Sequence, residues 1–254
     1  MRRRQALALG GSALLGTAGC LGDAQSDAQP STTATVSSVE VTVNTVQRGI
    51  VKYTTPDSIG VLDSDRRHVL FGINATNRDD PPAADAFALR FDGREYDATT
   101  EQQGHQLYQF EGSFYTAESG VGHTLFDLPT TGTADDAALV WDGDEWPLPE
   151  SIRRRLEVAP EFAVSFDDEL TNGSCTLTVT NEGDRPQRFL AAVNQEGGSS
   201  AYRPIGVRTA VIDGGANREF DIVAPANSND SGGTPIPGGR RIVTWAGGKG
   251  SCER

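Results

Sequence analysis

The chain has 254 residues, with 22 Lys+Arg against 35 Asp+Glu and a net charge of −13. So negative a field argues against nucleic acid as a partner, because phosphate binding needs a basic face. Lys52 and Lys249 are the only lysines and aspartate outnumbers glutamate; short carboxylates in place of long ammonium stems suit a surface hydrated in concentrated salt, where the Debye length falls to ~3 Å at 1 M.

Residues 1–20, MRRRQALALGGSALLGTAGC, lead with three arginines, continue through an apolar run from Ala6 to Leu15, and close on small residues and a cysteine. That is the layout of an export signal rather than of a folded helix. The run is too short and too rich in glycine to span a bilayer, which takes ~20 apolar residues. Thr17-Ala18-Gly19-Cys20 resembles the lipobox of bacterial and archaeal lipoproteins, with Thr17 where that family prefers leucine. The resemblance implies a signal peptide over residues 1–19, a lipid on the Cys20 thiol, and attachment to the extracellular face of the cytoplasmic membrane. Arg3-Arg4-Gln5-Ala6-Leu7 resembles a twin-arginine export motif, with Ala6 where phenylalanine is usual. Arg3 and Arg4 are its candidate residues, and the general secretory route is the alternative. Once the signal is removed, 19 basic residues face 35 acidic ones, a net charge of −16. This acidity and the scarcity of lysine resemble the proteins of halophilic archaea.

Residues 20–38 are small and polar after the cysteine and read as a flexible tether, spanning ~20–25 Å root-mean-square. From Val39 the pattern turns to period two. Val39, Val41 and Val43 alternate with polar residues, as do Val69, Phe71 and Ile73, and then Phe87, Leu89 and Phe91, the mark of half-buried strands. Asp92-Gly93 and Asp142-Gly143 each predict a tight hairpin, whose turn needs positive φ at both central residues. Residues 124–128 predict another strand. Residues 151–157 read as a connector, a short helix behind Pro149 with Ile152 and Leu156 on one side and Arg153, Arg154 and Arg155 spread around it. The arginines are read as solvated and paired with nearby aspartates, in preference to gripping an anionic partner.

Strands resume with Phe162, Val164 and Phe166, then Cys175, Leu177 and Val179, which places Cys175 on a core-facing position. Residues 205–211, Phe220 with Ile222, and residues 242–245 follow, the last taken as the final strand with Cys252 just past it. Short strands with turn residues between them predict β-sandwiches. With Cys20 lipidated, Cys175 and Cys252 remain as an even pair, which in an exported protein predicts a disulfide.

Residues 39–150 resemble the immunoglobulin-like domain of unknown function found in prokaryotic surface lipoproteins, on the strand ending near Asn77, the Phe91-Asp92-Gly93-Arg94-Glu95-Tyr96 hairpin and the Leu125-Phe126-Asp127-Leu128-Pro129 strand end. Residues 158–254 look like a second such unit. The expected fold class is therefore all-β, two immunoglobulin-like sandwiches at 39–150 and 158–254.

Motifs for chemistry are sparse. His68, His105 and His123 lie apart in sequence, without the close spacing of a zinc site. The chain after the signal has no methionine, and neither Cys175 nor Cys252 has a histidine nearby, which argues against blue copper. No Gly-x-Ser-x-Gly elbow or phosphate-cradling glycine loop occurs. Asp63-x-Asp65 and residues 142–145 carry calcium-like oxygen spacing without the rest of a calcium loop. Asn74, Asn172 and Asn229 begin sequons and are candidate glycosylation acceptors. Tyr108, Phe110, Phe114 and Tyr115 form the most aromatic stretch, either a binding strip or a strand with alternate rings in the core, the second reading being preferred.

The function expected is a non-enzymatic binding or structural module at the cell surface, with no cofactor, held to the membrane through Cys20 and acting on a surface protein or glycan. The alternative is a metal-dependent enzyme or metal carrier whose site assembles from His105, His123 and carboxylates.

Overall fold

The computed structural model describes residues 33–99, 112–167, 174–196, 202–223 and 239–252. Fifteen strands and one short helix lie among them, in four antiparallel sheets, so the chain is all-β. The strand order is β1-β2-β3-β6 in the first sheet and β5-β4-β7-β8 in the second. Here β1 is Thr33–Val36, β2 Val39–Thr55, β3 Ser58–Asn74, β4 Ala88–Phe91, β5 Arg94–Asp97, β6 Val121–Leu128, β7 Ala138–Trp141 and β8 Asp144–Pro147. The inner faces of these two sheets enclose one core. Val41, Val43, Phe71, Ile73 and Phe126 on one side meet Phe87, Leu89, Phe91, Leu139 and Trp146 on the other.

The alternation seen in the sequence is the cause: even and odd residues of a strand point to opposite faces, so one set is buried and the other meets solvent. The Asp-Gly turns have the geometry they predict, with φ of 52° and 66° at Asp92 and Gly93, and 48° and 85° at Asp142 and Gly143. Two expectations need correction. Thr33–Val36 form a strand, inside the stretch read as tether, because Ser37 and Ser38 both take positive φ and fold β1 back onto β2. The helix α1, Glu150–Leu156, is more than a connector, since Ile152 and Leu156 complete the first core.

The other two sheets are ordered β13-β10-β9 and β12-β11-β14-β15. Their strands are β9 Phe162–Phe166, β10 Ser174–Asn181, β11 Gln187–Glu196, β12 Tyr202–Ile212, β13 Asn217–Val223, β14 Arg241–Trp245 and β15 Gly248–Cys252. They enclose a second core of Leu177, Val179, Phe189, Ala191, Val193, Ile222 and Val243. β14 is not the last strand: the chain turns at Gly247 (φ 104°) and β15 returns beside it, carrying Cys252.

The two cores are joined by a ribbon. β2 and β3 are 17 residues each, far longer than a single sandwich uses. Near Gly49 (φ 74°) the register shifts between Arg48 and Ile50, and the distal half of the hairpin leaves the first sheet. There Val51, Ile59 and Val61 pack on the outer face of the second unit, against Leu190, Ala192 and Val207. Asn194 on β11 fixes the register of that contact. Its Oδ1 accepts from Ile59 N at 2.9 Å and its Nδ2 donates to Ile59 O at 2.7 Å. β11 is thus buried on both faces.

Behind the ribbon sits Arg67, 1 % exposed. It donates to Arg155 O (2.8 Å), Thr130 O (3.2 Å), Val158 O and Gln187 Oε1 (3.2 Å). These acceptors come from β11, from α1 and the chain after it, and from the end of β6. Burial lowers the Arg67 pKa to about 10, with Arg48 and Arg155 adding repulsion. One buried cation therefore gathers the backbone oxygens where the two units meet.

Candidate functional site

The outward face of the first sheet is built of rows that follow the register. Gln47, His68 and Asp127 form one row, Thr45, Leu70 and Leu125 the next, then Thr42, Gly72 and His123, then Glu40, Asn74 and Val121. The first row is closed. His68 is fully buried, its Nδ1 2.7 Å from Asp127 Oδ1 and its Nε2 3.3 Å from Asp63 O. In the second row Leu70 and Leu125 are apolar and pack with Ile50 and Phe114. The last two rows open into a groove of about 570 Å³, walled by Gly112, Ser113 and Ser119.

Gly72 makes the groove. It lacks a side chain in the middle of β3, and a Cβ there would come within 3.2 Å of Asn44 Nδ2. Asn44 reaches across this gap from β2 to β6, placing its Nδ2 3.0 Å from His123 Nδ1. With the amide donating, Nδ1 is the acceptor and the neutral ring carries its proton on Nε2. One row further, Asn74 Nδ2 donates to Glu40 Oε2 at 3.2 Å, while Asn74 Oδ1 accepts from Thr76 N and Oγ1 at 3.1 and 2.7 Å. Planar amides, an imidazole and a carboxylate are thereby held on rigid strands around a cleared floor.

The predicted site residues fall as follows. Arg3, Arg4, Cys20, Asn172, Asn229, Tyr108, Phe110 and His105 lie outside the described residues. Cys175 and Cys252 are bonded, with Cα atoms 6.5 Å apart, and the bridge ties β10 to β15 across the second core. Phe114 and Tyr115 do not form an exposed strip. Adjacent residues point to opposite faces, so Phe114 packs on Leu70 and Leu125 while Tyr115 is 1 % exposed inside the first core. Tyr115 donates its hydroxyl to Pro82 O at 2.8 Å and meets Phe87 edge-on at 5.8 Å, and burial raises its pKa. Asn74 lies in the groove.

His68 and His123 share one sheet face but stand four residues apart along it, ~13 Å, with the row of Leu70 and Leu125 between them. No group of three or more potential metal ligands occurs among the described residues. Of the carboxylates with calcium-like spacing, Asp63 is paired with Lys52 at 3.3 Å and Glu145 with a bidentate Arg90 at 2.8 Å on each oxygen. Of the arginines of α1, Arg153 donates to Asp135 O and Arg154 pairs with Glu150 one turn earlier on the exposed side of the helix.

The sequence reading passed over Asn44 and Gly72. A glycine inside a strand pattern was the available signal, since it marks a close approach or a gap.

No family model and no curated protein matches the chain. Among solved structures, it is similar to a β-glucosidase from Listeria innocua in complex with isofagomine, at TM-score 0.27 and 14% identity over 65% of this chain and 21% of that one. The same enzyme in complex with glucose aligns at TM-score 0.27 and 12% identity, covering 67% and 22%. Dimeric latent PorU from Porphyromonas gingivalis aligns at TM-score 0.23 and 12% identity, covering 84% and 19%. The chain thus spans about a fifth of the length of each, and likeness at this level carries no argument about activity.

Proposed function

We propose that this chain is a lipid-anchored protein of the outer face of the cytoplasmic membrane, a non-enzymatic module that binds a surface protein or glycan. In this reading Cys20 carries the lipid, Arg3 and Arg4 direct export, the tether runs from residue 20 to the start of β1, and the two sheet pairs are immunoglobulin-like. The observation that supports it most is the Cys175–Cys252 bond. Both sulfurs are buried in the second core, Cys252 completely, and such bridges persist in oxidising compartments outside the cytoplasm. The sequence and the bond point to one address.

The test is membrane fractionation of cells expressing the full chain and its Cys20→Ser variant, with intact mass of each product. The native chain should partition into detergent and carry acyl mass on Cys20, and the variant should be released or remain unprocessed. A variant of unchanged size that stays in the membrane would overturn the reading.

A further inference from the structure

We infer that the groove over Gly72 is a binding site for a neutral polyhydroxylated ligand, a sugar ring presented by a glycan. This deepens the reading of the chain as a binding module but does not depend on its anchor. At about 570 Å³ the space falls within the range of small-molecule sites.

The chemistry of the lining selects the class. Among the described residues no lysine or arginine lines the groove, so phosphates and carboxylates find no countercharge from them. Among the described lining residues Glu40 is the one carboxylate and His123 the one imidazole, too few for a zinc or calcium site. What remains are neutral hydroxyls, amide and carboxylate acceptors and an imidazole. Glu40 receives Asn74 Nδ2 on Oε2, which leaves Oε1 as an acceptor, and Asn44 turns Nδ2 to His123 so that its Oδ1 is the outward acceptor. Ser113 adds a hydroxyl at the wall, while the Ser119 hydroxyl is taken up by Thr116 and Val121 and shapes the wall. Adjacent hydroxyls of a sugar match such a set, because each gives one proton and takes another. Val121, 50 % exposed at the rim, offers an apolar surface to the C–H face of a ring.

The site is pre-formed. Glu40, Asn44, Asn74 and His123 all stand on paired strands, and their mutual hydrogen bonds fix the rotamers before a ligand arrives. Rigid presentation lowers the ordering entropy that binding must overcome.

The experiment uses the full chain labelled with 15N-histidine. Only three imidazoles report, and His68, closed within the same sheet face, is the internal control for folding. Glucose, galactose, mannose, N-acetylglucosamine and maltose are titrated separately, with sulfate and calcium chloride as charged competitors. At least one sugar should shift the His123 ring signals saturably while His68 stays fixed. Gly72→Ala, whose Cβ crowds Asn44, and Asn44→Ser, which removes the amide, should each weaken that binding ~10-fold or more with His68 unmoved. Sugars that leave His123 unshifted, affinity unchanged in both variants, or saturation by sulfate or calcium instead would each overturn the assignment. Membrane release of Cys20→Ser is read independently, so failure of the sugar site and failure of the anchor are told apart.

Discussion

Replacing Arg67 by methionine tests whether the two cores are one cooperative structure. The native guanidinium makes four hydrogen bonds, to Arg155 O, Thr130 O, Val158 O and Gln187 Oε1. Bonds to a charged donor contribute ~1.5–3 kcal/mol each. Against them stands burial, which lowers the pKa of Arg67 to about 10 and so disfavours its charge by ~3 kcal/mol. The folded value lies below the unfolded one, so this penalty is present in full at neutral pH and is relieved only as pH rises through about 10 towards the ordinary arginine range. Methionine removes both terms. Gln187 Nε2 still donates to Arg155 O and Val158 O at 3.2 Å, which keeps the loss at the low end. The expected net change is ~3–5 kcal/mol of destabilisation, a large part of a typical domain's ~5–15 kcal/mol. Urea unfolding in molar KCl is the assay, followed by tryptophan fluorescence. Trp141 and Trp146 report on the first core and Trp245 on the second. The native chain should unfold in one transition, and Arg67→Met should unfold earlier and in two steps. A lysine in its place should recover less than half of the loss, since a compact ammonium cannot span four separated oxygens. An Arg67→Met chain as stable as the native one, with a single transition, would show that the guanidinium does not hold the join.

Three further outcomes are expected. Reduction of Cys175–Cys252, which closes a loop of 77 residues, should lower stability by about 4–5 kcal/mol by calorimetry, and two reactive thiols before reduction would contradict the bond. Gly49→Ala should cost ~1–3 kcal/mol in the same urea titration, because φ is 74° and the new Cβ would lie 2.6 Å from Val61 Cγ1; a change under ~0.5 kcal/mol would place the bend elsewhere. Melting temperature should climb steeply between ~0.1 and ~3 M KCl as the excess negative charge is screened, and a flat profile would make the acidity incidental.

The fold was legible wherever one face of a strand is wet. Val39, Val41 and Val43, and Val69, Phe71 and Ile73, declare their inner face by alternation, and the Asp-Gly turns declare their hairpins. β11 gave no such signal. Phe189 to Val193 is a continuous apolar run because the second core takes one side and the ribbon takes the other, so no period of two survives. The ribbon itself was hidden for the same reason, since its apolar residues face a strand encoded far away. Arg67, His68 and Asn194 look like surface residues in sequence, and only their distant partners explain their burial. Within the candidate site, His123 was visible as a residue type but its partner Asn44 lies 79 positions earlier. For Phe114 and Tyr115 the sequence left two readings, and the buried Tyr115 agrees with the preferred one, alternate rings in the core.

The ribbon also sets a problem of timing. Ile59 and Asn194 are 135 residues apart, so the hairpin exists as chain well before the strand that covers it. At ~5–20 residues per second of synthesis, Val51, Ile59 and Val61 wait on the order of ten seconds or more for Leu190 and Ala192. During that interval a two-stranded apolar flap stands open, able to pair with another copy of itself. The fold therefore depends on a long-range closure late in its formation, which is slow by topology. Whatever keeps nascent chains apart, a holding chaperone or rapid delivery to the export machinery, has its point of attack on this hairpin rather than on either core.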